Sequence, residues 1–213
     1  MSILITGANR GIGHQLMLDY QAEGRSVIGT SRSGGDYLPL EVTDPTSHTA
    51  LAETLKDKPI DLLVCNAGVY LDAGQTLDAG FPADMWTQTF AVNVAGVFMT
   101  IQALLPNVRT AKGKIAIISS EMASHEHAPG GSYIYRASKA AVLNLGRNLA
   151  TDLRAEGIAV GIYVPGWVKT DMGGADADLD METASKGLIA QFDALDMRTS
   201  GHFLTWEGQQ HPF

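Results

Sequence analysis

The sequence predicts an α/β fold, in which helices cover both faces of a doubly wound, mainly parallel sheet within one domain. Short runs that are apolar at every position alternate with longer segments of helical periodicity along the chain. Continuously apolar runs are typical of strands covered on both faces. Repeated alternation of strand and helix favours parallel pairing through crossover helices. No repeat, low-complexity tract or linker interrupts this order, so we expect a single domain over residues 1–213.

Helix caps and glycines set the element boundaries. Asp44-Pro45 combines an N-cap with a first-turn proline, and Gly24 and Gly157 are placed to end helices in the left-handed conformation. The stretch between Arg32 and Leu40 is too short for a crossover helix. The predicted strands are Ile3–Ile5, Val27–Ile28, Leu62–Cys65, Ile115–Ile118 and Ile158–Val164. The predicted helices run from after Gly13 to Gly24, from Pro45 to before Pro59, and over Pro82–Leu105, Tyr133–Glu156 and Met181–Leu195.

Composition narrows the class of protein. Of 213 residues, 45% are apolar and 18% charged, which is typical of a globular chain. The net charge of −8 argues against a nucleic-acid backbone binder, which needs clustered cations. We expect no segment long and apolar enough to span a bilayer, and no leader at the N-terminus. With Cys65 as the only cysteine, an intramolecular disulfide is excluded and a cytoplasmic location is expected.

The first strand runs into a glycine-rich turn that opens a helix. The turn places Gly7, Gly11 and Gly13 around Asn9, Arg10 and Ile12. Glycines in a strand-to-helix turn allow the backbone to approach a pyrophosphate, which the positive helix N-terminus attracts. The sequence therefore predicts a dinucleotide-binding site at this turn.

Further motifs follow the turn in a fixed order. They are Asn66-Ala67-Gly68 after the Leu62–Cys65 strand, Asn93 within the third helix, Ser119-Ser120, Tyr135 with Lys139, and Pro165-Gly166 with Val168 and Thr170. With Thr6 before the glycine turn, these residues resemble the short-chain dehydrogenase/reductase family over essentially the whole chain. The resemblance implies an oxidoreductase with a nicotinamide cofactor, which the first and last of these motifs would help to bind.

Tyr135 and Lys139 carry the predicted chemistry. They are four residues apart on a helix, so both side chains fall on one face. A nearby ammonium favours the phenolate, so we expect Lys139 to lower the pKa of Tyr135. Ser120 would hydrogen-bond the substrate oxygen as its charge develops. The resemblance implies that Lys139 reaches the cofactor ribose and that Asn93 holds a water that links the lysine to solvent.

Tyr133 is a rival for the role of Tyr135. The more common family spacing from Ser120 would fall on Tyr133. Tyr133 and Lys139, however, are about 240° apart around a helix and cannot share a face. We therefore favour Tyr135 and interpret residues 121–132 as a lengthened loop, similar to that of the branch containing C-factor and small carbonyl reductases. Tyr133 would then line the substrate pocket.

The end of the second predicted strand indicates whether the cofactor is NAD(H) or NADP(H). An NAD-binding site commonly places a carboxylate there, but Ser31-Arg32 occupies the position and no acidic residue lies between Val27 and Gly35. Arg32, with Arg10 as a second candidate, is available for a 2′-phosphate. NADP(H) is therefore favoured over NAD(H). Glu41-Val42 stands where the family contacts adenine.

The expected reaction moves a hydride between NADP(H) and a small carbonyl or secondary alcohol. A short lid over residues 171–195 would choose the substrate. Neither a nucleic-acid partner nor a metal is expected, and His125 and His127 are interpreted as loop residues. The resemblance implies self-association as a dimer or tetramer. The alternatives are a non-catalytic nicotinamide-nucleotide sensor or signalling protein on this scaffold, and, less favoured, an epimerase or dehydratase.

Overall fold

In the computed structural model, which describes residues 1–213, seven strands form one parallel sheet in the order β3-β2-β1-β4-β5-β6-β7. The strands are β1 Ser2–Ile5, β2 Ser26–Ser31, β3 Leu38–Pro39, β4 Leu62–Cys65, β5 Lys114–Ile118, β6 Ala159–Val164 and β7 Phe203–Thr205. The helices are α1 Gly11–Ala22, α2 Pro45–Thr54, α3 Ala83–Phe90, α4 Gly96–Ala111, α5 Tyr133–Asp152 and α6 Met181–Ala194. A π-helical segment, Ala91–Ala95, joins α3 to α4. The predicted doubly wound, Rossmann-like single domain is confirmed.

Strand β4 shows why the strand sequences are apolar at every position. Leu63 and Cys65 pack into a core with α2, α4 and α5, whereas Leu62 and Val64 face the opposite core with α1 and α6. Burying each aliphatic side chain completely contributes roughly 1.5–3 kcal/mol. Helices on both faces therefore explain the absence of polar–apolar alternation.

Several predicted boundaries were wrong. The helix that begins at Ala83 continues past Leu105 and through Pro106 to Ala111, because Val108 is buried against the sheet and the Asn107 side chain donates to two carbonyls after α2. The first helix begins at Gly11, not after Gly13, and α5 ends at Asp152, before a 3₁₀ turn. Strands β3 and β7 were not predicted.

The helical segment Ala83–Ala111 also corrects an expectation about membranes. By length and composition alone, it is long and apolar enough to cross a bilayer, contrary to the sequence-based expectation. In the fold, Val97, Ile101 and Leu104 of this segment are buried in the sheet core.

The chain changes its winding direction between β1 and β4, which are neighbours in the sheet. Since all strands are parallel, their carboxyl ends meet at one edge, and a crevice opens there where the order reverses. The β2–β3 connection contains no helix, as its length predicted, and turns instead at Gly34 and Gly35, whose φ values are +65° and +77°. This leaves the crevice open beside Arg32.

Candidate active site

Hydrogen bonds hold the glycine turn against the end of β4. Gly7 and Gly11 have φ values of +65° and +56°, which favour glycine. The Thr6 hydroxyl accepts from the amides of Asn66 and Ala67 at 3.0 and 3.1 Å. The Asn66 side chain donates to the Thr6 and Gly7 carbonyls at 2.9 and 3.2 Å. A side chain on Gly13 would collide with Asn66 and the Gly7 carbonyl, so this packing requires glycine.

Helix α1 begins at Gly11 and directs its free amides into the crevice. The amides of the first helical turn have no intrahelical acceptor, and Arg10 at the N-cap makes no side-chain capping bond. The crevice is a cavity of about 540 Å³. Unpaired amides and the helix dipole make this end a site for an anionic phosphate.

Most of the predicted cofactor residues line this cavity. They are Gly7, Asn9, Arg10, Gly11, Ile12, Ser31, Arg32, Glu41, Val42, Asn66, Ala67, Gly68, Pro165 and Thr170, with Tyr135 and Lys139 at the inner end. The structure also brings in residues that the sequence analysis did not assign to the cofactor site, namely Ser33, Leu40, Val69, Val92, Ile118, Ser119, Asp171 and Met172. The cavity therefore joins the glycine turn to the Tyr135–Lys139 pair.

Three predicted cofactor residues do not line the cavity. Gly13 packs beneath the turn, as described above. Gly166 has a φ of +85° and packs against Leu179 and Trp206. Val168 is buried and forms a β-bridge with Leu179. Gly166 and Val168 shape the segment that leads to Thr170, where the chain returns to the cavity.

At the end of the cavity away from Tyr135, two arginines and one glutamate differ in whether they have a partner. Arg32 is exposed, lines the cavity and makes no ion pair. Arg10 pairs with Asp171 at 3.5 Å across the cavity mouth. The Glu41 carboxylate accepts from the amide and hydroxyl of Thr43 at 3.1 and 2.9 Å. Of the two arginines at this end, Arg32 is thus the one that has no acidic partner.

At the inner end, α5 presents Tyr135 and Lys139 on the same face. The Lys139 ammonium lies 5.6 Å from the centre of the Tyr135 ring. Its Nζ donates to the Ile118 carbonyl at 3.0 Å, and Ser119 donates to the Lys139 carbonyl at 3.0 Å. Both side chains are buried. The end of β5 therefore fixes the pair at the bottom of the cavity.

Burial controls the proton affinities of this pair. It raises the pKa of Tyr135 to about 12, which a hydrogen bond from Ser120 partly opposes and nearby acidic groups reinforce. Burial also lowers the pKa of Lys139 to about 8. The expected lowering of the Tyr135 pKa is wrong for this structure, because burial of the phenol is the largest influence on that pKa and raises it. Tyr135 is therefore a neutral phenol, suited to donate a proton.

The positions of Ser120 and Tyr133 bear on which tyrosine is paired with Lys139. Ser120 caps a 3₁₀ turn, Glu121–Ala123, accepts from the Met122 amide at 3.1 Å and lies beside Tyr135. Tyr133 is 39% exposed and packs edge-on against Phe81, with ring centres 5.4 Å apart. Neither Ser120 nor Tyr133 belongs to the cavity lining. The geometry brings Ser120 to Tyr135 and leaves Tyr133 away from Lys139.

Asn93 lies in the π-helical segment, and such segments frequently occur at functional sites. Its Oδ1 accepts from the Val69 amide at 2.8 Å, and its Nδ2 donates to the Val69 carbonyl at 2.9 Å and to Ser138 at 3.0 Å. Ser138 in turn donates to the Tyr135 carbonyl at 2.8 Å. In the structure Asn93 thus ties the segment after β4 to α5, and makes no direct hydrogen bond to Lys139.

The sequence analysis missed two residues that contact Tyr135. The Tyr70 ring stacks on the Tyr135 ring, with centres 4.3 Å apart, and its hydroxyl hydrogen-bonds to Ser132. The Asp72 carboxylate accepts from the amides of Ile134 and Tyr135 at 2.8 and 3.2 Å. The only sequence signal was one acid following the apolar stretch Val69–Leu71.

The fold and the site define an oxidoreductase of the dinucleotide-binding α/β class. A family model described as short chain dehydrogenase matches residues 1–179, and the chain belongs to this family.

Individual relatives agree with that assignment. The chain is 37% identical over 166 residues to the protein named C-signal of Myxococcus xanthus, covering 77% of this chain and 99% of the relative. It superimposes with a TM-score of 0.91 on the NADPH-bound carbonyl reductase from chicken fatty liver, at 31% identity, covering 100% of this chain and 98% of the other. An NADP-bound putative short-chain dehydrogenase/reductase from Burkholderia multivorans gives a TM-score of 0.91 at 27% identity, with coverage of 100% and 99%. The resemblance to the C-factor and carbonyl reductase branch is confirmed.

Proposed function

We propose that the chain transfers a hydride between NADP(H) and a small carbonyl or secondary alcohol, with Tyr135 as the general acid and base. One observation carries the proposal: Tyr135 and Lys139 lie together at the bottom of a cavity whose other end meets the free amides of the glycine turn. One elongated cavity thus offers an anion site and a proton donor.

The residues present fit a nicotinamide dinucleotide. Glycine conformations at Gly7 and Gly11 and the free amides of α1 suit the pyrophosphate, and Arg32 suits a 2′-phosphate. Lys139 and Thr170 line the same cavity and would bind the nicotinamide half. When bound, the nicotinamide would supply or accept the hydride.

The chain itself supplies the proton and positions the substrate. In reduction, the carbonyl oxygen would accept the Tyr135 proton while the carbonyl carbon gains the hydride, which gives the alcohol. Ser120 would donate a second hydrogen bond to the developing alkoxide. Lys139, which is mostly protonated at pH 7 because its pKa is about 8, would stabilise the phenolate that remains on Tyr135.

A lid over residues 171–195 would cover the substrate. Asp171 and Met172 line the cavity, and α6 follows the loop. Gly173 is held by Thr170 and Trp167 through hydrogen bonds of 3.0 and 2.8 Å. Closure of this loop over the cavity would then select among small substrates.

Arg32→Ala is expected to raise the Kd for NADPH by about 10- to 100-fold, since a charge-assisted bond to phosphate would be lost. The Kd for NADH should change less than about twofold, because NADH has no 2′-phosphate. Fluorescence titration of both nucleotides measures the two constants, with the exposed Arg154→Ala as a matched control. Equal weakening of NADPH and NADH would contradict the phosphate role.

The general test is a titration with NADPH, followed by NADPH oxidation across a panel of small aldehydes and ketones. Binding with turnover is the expected result. Binding without turnover on a wide panel would favour the sensor or signalling alternative, which the presence of Ser120, Tyr135 and Lys139 disfavours. Failure to bind either nucleotide would refute the cofactor site.

Self-association is proposed over an apolar face formed by α3, the π-helical segment, α4 and α5. Phe90, Val94, Phe98 and Leu145 line an open depression there, and Phe98 is 38% exposed. A second copy of the chain would cover it. Phe98→Glu is expected to shift the sedimenting species to the monomer, while Leu77→Glu, at an exposed site elsewhere, should not. A wild-type monomer, or an unchanged mass for Phe98→Glu, would refute this interface.

A further inference from the structure

Two buried charged residues flank Tyr135, and only one of them belongs to the family motif. Asp72 is the only buried carboxyl group of the protein, with no exposed surface, and Lys139 is the only buried ammonium. Burying a carboxylate costs several kcal/mol unless hydrogen bonds compensate. The position of Asp72 therefore requires a structural or chemical reason.

The Asp72 side chain accepts hydrogen bonds only from the start of the Tyr135 helix. Its Oδ2 accepts from the Ile134 amide at 2.8 Å, and its Oδ1 accepts from the Tyr135 amide at 3.2 Å. The residue at the N-cap itself, Ser132, is left-handed with a φ of +48° and makes no capping bond. Asp72 thus caps the N-terminus of α5, although it lies 62 residues earlier in the chain. Its negative charge there also interacts favourably with the helix dipole.

The segment Val69–Asp72, which we call the strap, is itself fixed to the site. Asn93 holds both the amide and the carbonyl of Val69. Tyr70 then stacks on the Tyr135 ring and bonds to Ser132. The strap therefore contacts Tyr135 through its ring and through its backbone amide.

We propose that Asp72 is a positioning residue for Tyr135, because it fixes the phenol at the bottom of the cavity through the start of α5. Its negative charge also disfavours the phenolate, an effect that adds to the larger effect of burial. This second effect rests on the proposed function, because only carbonyl reduction needs the protonated phenol. The groups that act on the phenol are Lys139 across the ring, Ser120, and the acidic groups of Tyr70, Glu121 and Asp72. Of these acidic groups, Asp72 alone also holds the Tyr135 backbone.

Asp72→Ala and Asp72→Asn separate the two effects. Asp72→Ala removes the cap and is expected to lower kcat by about 10- to 100-fold, since small displacements of a reacting group are costly. The Kd for NADPH should stay within about twofold, because the phosphate end is untouched. Asp72→Asn keeps an oxygen that can accept from both amides, so it should retain more kcat than Asp72→Ala. Without the charge, the pH profile of alcohol oxidation should move to lower pH.

The control is Asp78→Asn, an exposed acid in the same loop, which should match the wild type. If the Asp72→Asn profile coincides with that of the wild type, the charge effect is overturned. If Asp72→Ala keeps kcat within about twofold, the positioning effect is overturned. Should Asp72→Ala fail to fold, the profile and kcat of Asp72→Asn decide the matter.

A measurement without substrate separates this inference from the proposed function. Amide hydrogen exchange at Ile134 and Tyr135 should accelerate in Asp72→Ala and stay unchanged in Asp78→Asn. If the wild-type protein turns over no carbonyl, the proposed function fails, while faster exchange still supports the cap. Unchanged exchange in Asp72→Ala overturns the cap, whatever the activity.

Discussion

Tyr135→Phe is expected to lower kcat for carbonyl reduction by about 10²- to 10⁴-fold, which is the usual contribution of a positioned proton donor. The change removes one hydroxyl and keeps the ring, so the stacking on Tyr70 and the hydrogen bonds from the α5 amides to Asp72 remain. NADPH should still bind with a Kd within about twofold of the wild-type value. Steady-state kinetics and a nucleotide titration measure the two quantities.

Tyr133→Phe is the matched control, since it makes the same change two residues away on the same helix. Tyr133 is partly exposed and packs on Phe81, so its variant should keep wild-type turnover. An active Tyr135→Phe together with an inactive Tyr133→Phe would overturn the assignment.

Most strands were predictable because burial on both faces makes every residue of the strand apolar, which is visible in the local sequence. In β4, successive residues enter different cores, so the whole run is apolar. Strand β3 has no such run: it has two residues, one of them Pro39, at the sheet edge where a missing amide is tolerated. Helix α4 passes Pro106 because packing of Val108 outweighs the local preference, which a single sequence does not reveal.

In the candidate site, too, local features were predictable from the sequence and long-range features were not. Tyr135 and Lys139 were predictable as a pair, because helix geometry over four residues is local. The cap from Asp72 was not, because it joins residues 62 apart with no shared pattern. The pKa of Tyr135 was predicted in the wrong direction because the sequence shows the neighbouring ammonium but not the depth of burial.

Lys139→Met is expected to abolish most of the activity and to stabilise the fold at neutral pH. The lysine is buried, and its pKa falls from 10.5 to about 8. Activity should fall because the phenolate left on Tyr135 would lose its nearest positive charge. Methionine has a similar length and no charge to desolvate. Activity and stability should therefore change in opposite directions.

The sign of the stability effect follows from proton binding. Between about pH 8 and 10.5 the unfolded chain holds the Lys139 proton and the native protein does not, so wild-type stability rises with pH in this window. Below pH 8 both states are protonated and the native state bears the full cost, roughly 3 kcal/mol. Lys139→Met removes that cost but leaves the Ile118 carbonyl without its donor, a loss of about 1 kcal/mol.

At pH 7 the variant should thus gain about 1–2 kcal/mol in the free energy of unfolding. The gain should shrink towards pH 10.5, because the native wild-type lysine becomes neutral and its desolvation cost disappears. Urea denaturation at pH 7 and pH 10 measures both values, with the exposed Lys56→Met as the control. A variant that is less stable than the wild type at pH 7 would show that the buried ammonium stabilises the fold. The presence of Lys139 in the cavity would then need no catalytic explanation. A gain in stability with a loss of turnover would instead identify a charge that serves the chemistry and destabilises the fold.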